Sequence, residues 1–315
     1  MLLNMSSNKK MIDIIIPAYN AFETIGKTLN SIAKQINRSA LNVYIINDGS
    51  AKSYDYIIAN YTSLLNITEI KIPNSGPGTA RQVGLDVSKS EFIVFIDADD
   101  TLSDDDSLLN LISIISDADL AQGSFLENSE TDSRILEAQY CYLHGKMYRR
   151  SIINKNDIKF DETRRYGGDI YEDCSFNILY TLCCDKVATT NKVVYIYEYN
   201  PNSITKFNKD VSKHLRNYID AMTWLAKEIN KREINKEHDI AWNFYMVCFH
   251  SYFNYLISEE RSNFVFFEMS QIKKMYKKYI DKLPYDEQLS IYKLFNYPVI
   301  PTISFYDFMD KISDE

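Results

Sequence analysis

The sequence predicts an α/β protein: a mostly parallel central sheet with helices on its faces, followed by a helical C-terminal module. Three observations predict it. Strand-like and helix-like stretches alternate through the first hundred residues. The run "EFIVFI" (91–96) is apolar at successive positions, as a central strand covered on both faces requires. After Thr205 the pattern becomes helical and dense in Tyr, Phe and Lys, which sets a domain boundary near 205.

The elements follow in order. "MIDIIIPAYN" (11–20) reads as a buried strand ending in a loop. Phe22, Ile25, Leu29, Ile32 and Ile36 are then spaced by three and four, one face of a helix. "LNVYIINDGS" (41–50) is a second strand with a turn at Asp48-Gly49-Ser50, and "ITEIKIP" (67–73) a short third. "PNSGPG" (73–78) is a loop, because Gly and Pro crowd there. "TARQVGLDVSKS" is a helix, and "EFIVFI" is the fourth strand. From about 104 to 200 the pattern is mixed: a helix near Leu108 to Ile115, short strands, a glycine loop at Gly167-Gly168, a helix from about Glu172, and the strand "KVVYIYEY".

Bulk properties narrow the function. A chain of 315 residues suits two modest domains, or one α/β domain with an appendage. The net charge of −8 argues against broad nucleic-acid binding. Five cysteines, with no C-x-x-C pair, argue against a disulfide framework or a zinc site and fit a reducing cytoplasm. The apolar run after Lys9 and Lys10 is β-branched and followed by Pro17, so it reads as a strand rather than a signal peptide. Ile240 to Ile257 approaches the length of a membrane span, but Asn243, His250, Ser251 and Asn254 interrupt it; a buried helix is the better reading.

Ligands of open α/β sheets bind beyond the carboxyl ends of the strands. Three loops fall there: Pro17-Ala18-Tyr19-Asn20, Asn47-Asp48-Gly49-Ser50 and Asp97-Ala98-Asp99-Asp100. Carboxylates at the end of a buried strand need a compensating positive charge, or their pKa values rise. Asp97-Ala98-Asp99 suits Mg²⁺ or Mn²⁺ shared with phosphate oxygens. The alternative use, capping the next helix, is open to Asp104 to Asp106 instead. Gly76-Pro77-Gly78 is not a dinucleotide fingerprint, since Arg81 occupies the third glycine position and the loop follows the third strand. Arg81 either meets an anion or is a solvated surface arginine. Gly167 and Gly168 precede Glu172-Asp173, where a carboxylate at a helix start is either a general base or a dipole partner.

Six segments in order resemble the family 2 glycosyltransferases of the nucleotide-diphospho-sugar transferase (GT-A) fold: "IIIPAYNAFETIGKTLNSIAKQ", "VYIINDGSAKS", "NSGPGTARQVGL", "FIVFIDADD", "GKMYRRSII" and "YEDCSFNILY". The resemblance covers about 11 to 205. It implies inverting transfer from a nucleotide sugar, usually a UDP-sugar, to an acceptor hydroxyl. It aligns Pro17, Ala18 and Tyr19 with the first nucleotide loop, Asp48 with the acid that reads the base, and Arg81 with the arginine flanking the nucleotide. Asp97, Ala98 and Asp99 match the Asp-x-Asp stretch, with Asp99 the direct metal ligand beside Asp97 and Mn²⁺ or Mg²⁺ as cofactor. Asp173 matches the catalytic base and Glu172 its neighbour in the acceptor region. Lys146, after His144-Gly145, lies where a sugar hydroxyl or phosphate is contacted; His144 itself reads as structural. "YEYNPNSITK" (197–206) resembles the loop that closes over the diphosphate, with Ser203 as a contact; Asn200, Pro201 and Asn202 stand where many relatives carry His or Arg, and Lys206 is the substitute.

Residues 1–205 are thus expected to form the transferase domain and 206–315 a helical module for acceptor binding, oligomerisation or membrane-surface contact. In "QIKKMYKKYIDKL", Lys273, Lys274, Lys277 and Lys278 share a face beside Met275, Tyr276, Tyr279 and Ile280. That face meets anionic lipid or polymer, or is the solvated side of a packing helix. The expected partners are the nucleotide-sugar donor and a glycan, lipid-linked or polymer acceptor in capsule, O-antigen or teichoic-acid synthesis, or a protein acceptor. The expected place is the cytoplasm, at the inner face of the membrane. A nucleotidyltransferase of the same fold is disfavoured, because "IPAYNAFETIG" lacks a glycine- and Arg/Lys-rich triphosphate loop. A non-catalytic nucleotide-sugar or glycan-binding module is the rival from another class.

Overall fold

The computed structural model describes residues 12–137, 142–161, 171–201, 211–236, 239–241 and 276–286. The chain divides into two compact units, Met1–Ser203 and Ile204–Glu315.

The first unit is built on one mixed sheet. Its strands are β1 (Ile12–Ala18), β2 (Leu41–Asp48), β3 (Asn66–Ile72), β4 (Phe92–Phe95), β5 (Thr101–Leu102), β6 (Leu120–Asn128), β7 (Ser133–Leu136), β8 (Lys146–Arg149) and β9 (Val187–Tyr197). The order is β3-β2-β1-β4-β8-β6-β9-β5, with β7 added to β6. β1 pairs parallel with both β2 and β4, and β2 pairs parallel with β3. β8 runs antiparallel to β4 and β6, while β6 and β9 are parallel. "FIVF" is therefore central, and all four of its residues are buried, as its unbroken apolar run requires. β3 is an edge strand of the sheet, and its exposed Asn66, Thr68 and Lys71 are polar.

The helices of this unit are α1 (Ile25–Ala33), α2 (Asp55–Ile58), α3 (Pro77–Val87), α4 (Ser107–Ile115), α5 (Arg150–Asn156) and α6 (Glu172–Cys183). α1 buries Ile25, Leu29 and Ile32 as their spacing predicts. Ile36 departs from that face and is 64% exposed, because the helix stops at Ala33 and the periodicity ends with it. Phe22 lies before the helix and packs its ring on Tyr54. α3 starts two residues earlier than "TARQ" suggests: Pro77 occupies its first turn, where a fixed φ and a missing N–H are no handicap. The loop before it thus ends at Gly76. None of Asp104 to Asp106 caps α4 with its side chain; Asp106 holds the N-cap position without such a bond. Gln35 does that work from beyond α1, accepting from Leu108 N at 3.0 Å and donating to the Asp104 carbonyl at 2.6 Å.

Two contacts fix α3 against the sheet. A Cβ at Gly84 would lie 2.4 Å from Ile15 Cγ2, so only glycine lets the helix approach β1 this closely. The turn after α3 is tied to β1 by Asp13. Its fully buried carboxylate accepts from Ser90 N at 2.8 Å, Ser90 Oγ at 2.6 Å and Asn42 Nδ2 at 2.7 Å. Those bonds replace the water this carboxylate gives up.

In the second unit, α7 (Val211–Lys231) buries Tyr218, Ala221, Met222, Leu225, Ala226 and Ile229, a continuous helical stripe. In the short helical segment 276–280, Tyr276, Tyr279 and Ile280 are buried, and Tyr276 Oη donates to the Met222 carbonyl at 3.1 Å. Lys277 is exposed and pairs with Asp281; exposed Lys278 bonds Asn230 and sits over the Tyr279 ring. In this described part the buried side packs toward α7 and the lysines are exposed. Lys273, Lys274 and Met275 lie outside the described residues, as does Ile240 to Ile257 apart from Ile240 and Ala241. Among the described residues, no helix is long and apolar enough to cross a membrane.

Candidate active site

The parallel strands β1, β2 and β4 end at one edge, and their loops meet there. At the end of β1, Pro17 is half-buried and Ala18 is buried, and Tyr19 just past it is 55% exposed. At the end of β2, Asp48 turns its carboxylate to the loop that precedes α3, accepting from Ser75 N at 2.7 Å and Gly76 N at 2.9 Å. Gly49 makes this turn possible: its φ is +75°, and a Cβ there would lie 2.6 Å from Asn74 N. After β4, Ile96 N makes a last bond to the Ile15 carbonyl at 3.1 Å, and the chain then turns through Asp97 to Asp100. The Ala98 carbonyl accepts from Thr28 Oγ1 at 3.1 Å, which pins this turn to α1.

The three carboxylates of the turn point to three different partners. Asp97 Oδ1 accepts from Arg81 Nη2 at 2.7 Å, and its Oδ2 lies 3.9 Å from His144 Nε2. Asp99 Oδ2 accepts from Asn200 Nδ2 at 2.7 Å. Asp100 is fully buried; it accepts from Tyr195 Oη at 2.6 Å and from Glu198 N at 2.9 Å, with His144 Nε2 4.0 Å away. Tyr195 is stacked on the His144 ring, with Tyr142 and Tyr197 stacked on it as well.

Arg81 is not the surface arginine one sequence alternative allows. It is 6% exposed, and Nη1 donates to Glu172 Oε1 at 2.6 Å while Nη2 holds Asp97. Glu172 is buried at the start of α6, and Asp173 follows it, half-buried, with Oδ1 accepting from Cys174 N at 2.7 Å. Tyr171, at the head of this helix, has φ +76°, an uncommon conformation for a bulky residue that sits where the two carboxylates enter the site.

Burial and charge set the protonation of these groups. Desolvation pushes Asp97 upward, but the Arg81 guanidinium and His144 outweigh it and hold its carboxyl below the ordinary range. Burial drives Asp100 well above that range, and the charges of Asp97 and Asp99 add to the effect. Burial raises Asp99 too, against the opposing bond from Asn200. Burial raises Asp173, with Arg81 pulling partly back. His144 is pushed down to about 4 by burial despite Asp97, so it is a neutral imidazole at physiological pH.

Asp97, Asp100 and His144 offer ligand atoms that all lie within 4.8 Å of one another. Two carboxylate oxygens and a neutral imidazole fit a divalent cation such as Mn²⁺ or Mg²⁺. The raised Asp100 carboxyl points the same way, since a cation would compensate what burial and its neighbours make costly. Among the described residues, this cluster unites Asp97 with Asp100 and His144, whereas sequence reading pairs Asp97 with Asp99. Nothing in the local sequence marks Asp100 as the buried member; its hydroxyl partner Tyr195 is 95 residues away. Lys146 is buried on β8, with Nζ donating to the Tyr142 carbonyl. Ser203, Lys206, Gly167 and Gly168 lie outside the described residues.

The mixed, mostly parallel sheet, with carboxylates at the ends of its parallel strands, has the GT-A fold of nucleotide-diphospho-sugar enzymes. The chain belongs to glycosyl transferase family 2, whose model matches residues 13–180, more than half of its length. Poly(ribitol-phosphate) beta-N-acetylglucosaminyltransferase TarS of Staphylococcus aureus is 26% identical over 246 residues, which is 71% of this chain; the chain spans only 41% of that relative. TarP of S. aureus, a poly(ribitol-phosphate) beta-N-acetylglucosaminyltransferase, is 23% identical over 91% of this chain and 93% of its own. The crystal structure of S. aureus TarS 1–349 in complex with UDP-GlcNAc has TM-score 0.70 at 18% identity, covering 90% of this chain and 87% of that one, a likeness of fold.

Proposed function

We propose that this protein transfers a sugar from a UDP-sugar to a hydroxyl of a cell-surface polymer, with inversion and with a divalent cation. The observation that carries this reading is the convergence of Asp97, Asp100 and His144 with the Arg81-linked Glu172-Asp173 pair at one sheet edge. Residues 1–205 make the transferase domain and 206–315 the module that meets the acceptor, a second copy or the membrane surface.

The loop Pro17-Ala18-Tyr19 and Asp48 receive the nucleotide. Exposed Tyr19 offers a ring face to the base, and Asp48 shapes the adjoining loop through Ser75 and Gly76. Asp97, Asp100 and His144, with Asp99 from the same turn, hold Mn²⁺ or Mg²⁺. The bound cation supplies Lewis-acid stabilisation of the departing diphosphate. Asp173 takes the proton from the acceptor hydroxyl as that oxygen attacks the anomeric carbon opposite the leaving group. The raised carboxyl of Asp173 makes it a stronger base than an ordinary aspartate. A single displacement from that side inverts the configuration. Among acceptors, polyol-phosphate polymers are favoured, since TarS and TarP are named for poly(ribitol-phosphate). Cysteine usage supports a reducing, cytoplasmic setting.

The test is transfer from a panel of UDP-sugars, UDP-GlcNAc included, to poly(ribitol phosphate) and other polymers with Mn²⁺. Anomeric configuration is read by NMR. Transfer with inversion, lost in Asp173→Asn, is the expected result. UDP binding without turnover on any acceptor would favour the non-catalytic module, and a glycosylated protein product would favour a protein acceptor.

A further inference from the structure

We infer that Arg81 is a positioning residue that sets the distance between the leaving-group side and the proton-accepting side of the site; the inference rests on the transferase reading above. The guanidinium spans two elements that arrive from different parts of the chain. Nη2 holds Asp97 of the turn after β4 at 2.7 Å, and Nη1 holds Glu172 of the first turn of α6 at 2.6 Å. Glu172 is the residue immediately before Asp173. A planar cation with fixed nitrogen directions therefore links the cation-binding turn to the helix start that carries the base.

The helix bearing Arg81 is itself immobilised. Gly84 packs on Ile15 so closely that a Cβ could not be added without movement. At its other end, a Cβ on Gly78 would lie 3.0 Å from Glu172 Cγ and 3.1 Å from the Asp161 carbonyl, so the first turn of α3 touches α6 directly. Gln82 Oε1 accepts from Phe160 N at 2.9 Å. α3 is thus wedged between the sheet and α6, and Arg81 projects from a fixed base. The guanidinium does not engage either carboxylate through a two-toothed fork. It divides its two terminal nitrogens between them, and among the described residues buried Nε has no hydrogen-bond partner. A guanidinium can hold one carboxylate with two parallel N–H bonds; here each of two carboxylates receives one. The division trades that bond for a bridge.

A bridge and a nucleotide ligand predict different losses. If Arg81 positions, Arg81→Met lowers kcat by about 100-fold, the effect of displacing a reacting group by about 1 Å, while the UDP dissociation constant and donor KM change less than about threefold. Arg81→Lys does not restore kcat, because a point charge cannot hold both carboxylates. Glu172→Gln gives a partial kcat loss, and in the double variant the losses do not add. If Arg81 binds the donor, UDP affinity and KM collapse, Lys restores much of the binding, and Glu172 is uncoupled; this result overturns the inference. Calorimetric titration with UDP and Mn²⁺ also reports whether each variant is folded. Should Arg81→Met not fold, Glu172→Leu, which has no acceptor for Arg81 Nη1, severs one arm alone and carries the same test. A crystal structure of the Arg81→Met or Glu172→Leu variant gives a readout independent of turnover. The expected result is a Glu172-Asp173 turn moved relative to Asp97; an unmoved turn overturns the inference even if activity falls. Absence of transfer by the unaltered protein overturns the transferase reading instead, and leaves the crystallographic outcome to decide the bridge.

Discussion

Asn200 Nδ2 donates to Asp99 Oδ2 at 2.7 Å across 101 positions of sequence. The segment just beyond β9 is thereby attached to the turn that ends β4. Family resemblance points to His or Arg in this stretch, and the asparagine there looks like a loss. Its amide instead orients the carboxylate that sequence reading makes a direct metal ligand. Removing such an orienting donor lowers metal affinity by roughly 10-fold or more. Asn200→Ala should therefore raise the Mn²⁺ concentration giving half-maximal activity by about that factor, with kcat at saturating Mn²⁺ nearly preserved. Activation curves against Mn²⁺, started from chelator-treated protein, measure it. An unchanged half-saturation would remove Asn200 from the metal's surroundings.

Asp173 carries a pH prediction. Burial raises its carboxyl above the ordinary value, and Arg81 opposes the rise. A base works only when deprotonated, so activity is present above the raised pKa and lost as pH falls through it. The acidic limb of kcat/KM should thus lie above the normal aspartate range near 4. Arg81→Met removes the opposing charge, so the limb should move to still higher pH. Asp173→Asn should lower kcat by about 10²- to 10⁴-fold with UDP binding intact. A pH profile of the unaltered protein with its limb at or below pH 4 would contradict the assignment.

Much of the fold is legible in residue pattern alone. The β-branched run of β1, the unbroken apolar run of β4 and the three-and-four spacing of α1 each follow from local burial. Most of the failures have one cause, partners distant in sequence. Ile36 continues the spacing of α1, but spacing cannot show that the helix has ended. Gln35 caps α4 from 73 residues away, where three nearby aspartates look like better caps. At the site, carboxylates and arginine are visible as residue types. Their pairing is not, because Arg81 meets Glu172 across 91 positions and Asp100 meets Tyr195 across 95. His144 gains its place only when β8 and β9 pair with β6 and bring aromatic rings around it.

Asp13 tests how a carboxylate is tolerated at full burial in a central strand. Its bonds from Ser90 N, Ser90 Oγ and Asn42 Nδ2 tie β1 to β2 and to the turn before β4, and Arg150 stands 3.6 Å away. Asp13→Ala removes the acceptor of these buried donors and the counter-charge of Arg150, which keeps its bonds to the Ser90 carbonyl and Ser88 Oγ. The loss should be about 3–5 kcal/mol, as for breaking a buried charged pair. Scanning calorimetry should show a fall of roughly 10 °C in the transition of the first unit. A fall below about 2 °C would mean that water or another group replaces the carboxylate.

Beneath the site, Gly84 packs directly on Ile15. An added methyl at 84 meets Ile15 Cγ2 at 2.4 Å, and Ile15 is itself fully buried in β1. Neither side can yield by rotating a flexible chain end, so α3 must move off the sheet. Gly84→Ala should cost about 1–3 kcal/mol from overpacking, despite the better helix propensity of alanine. Since Arg81 rides on α3, kcat should fall with stability. Ile15→Ala alone should cost about 2–5 kcal/mol by leaving a cavity. Combined, the new methyl at 84 occupies part of the space vacated at 15. The double variant should therefore be more stable than the sum of the single losses by about 1 kcal/mol. Denaturant unfolding of the four proteins closes this cycle. Simple additivity would mean that α3 does not rest on Ile15, and that the rigid support for Arg81 lies elsewhere along the helix.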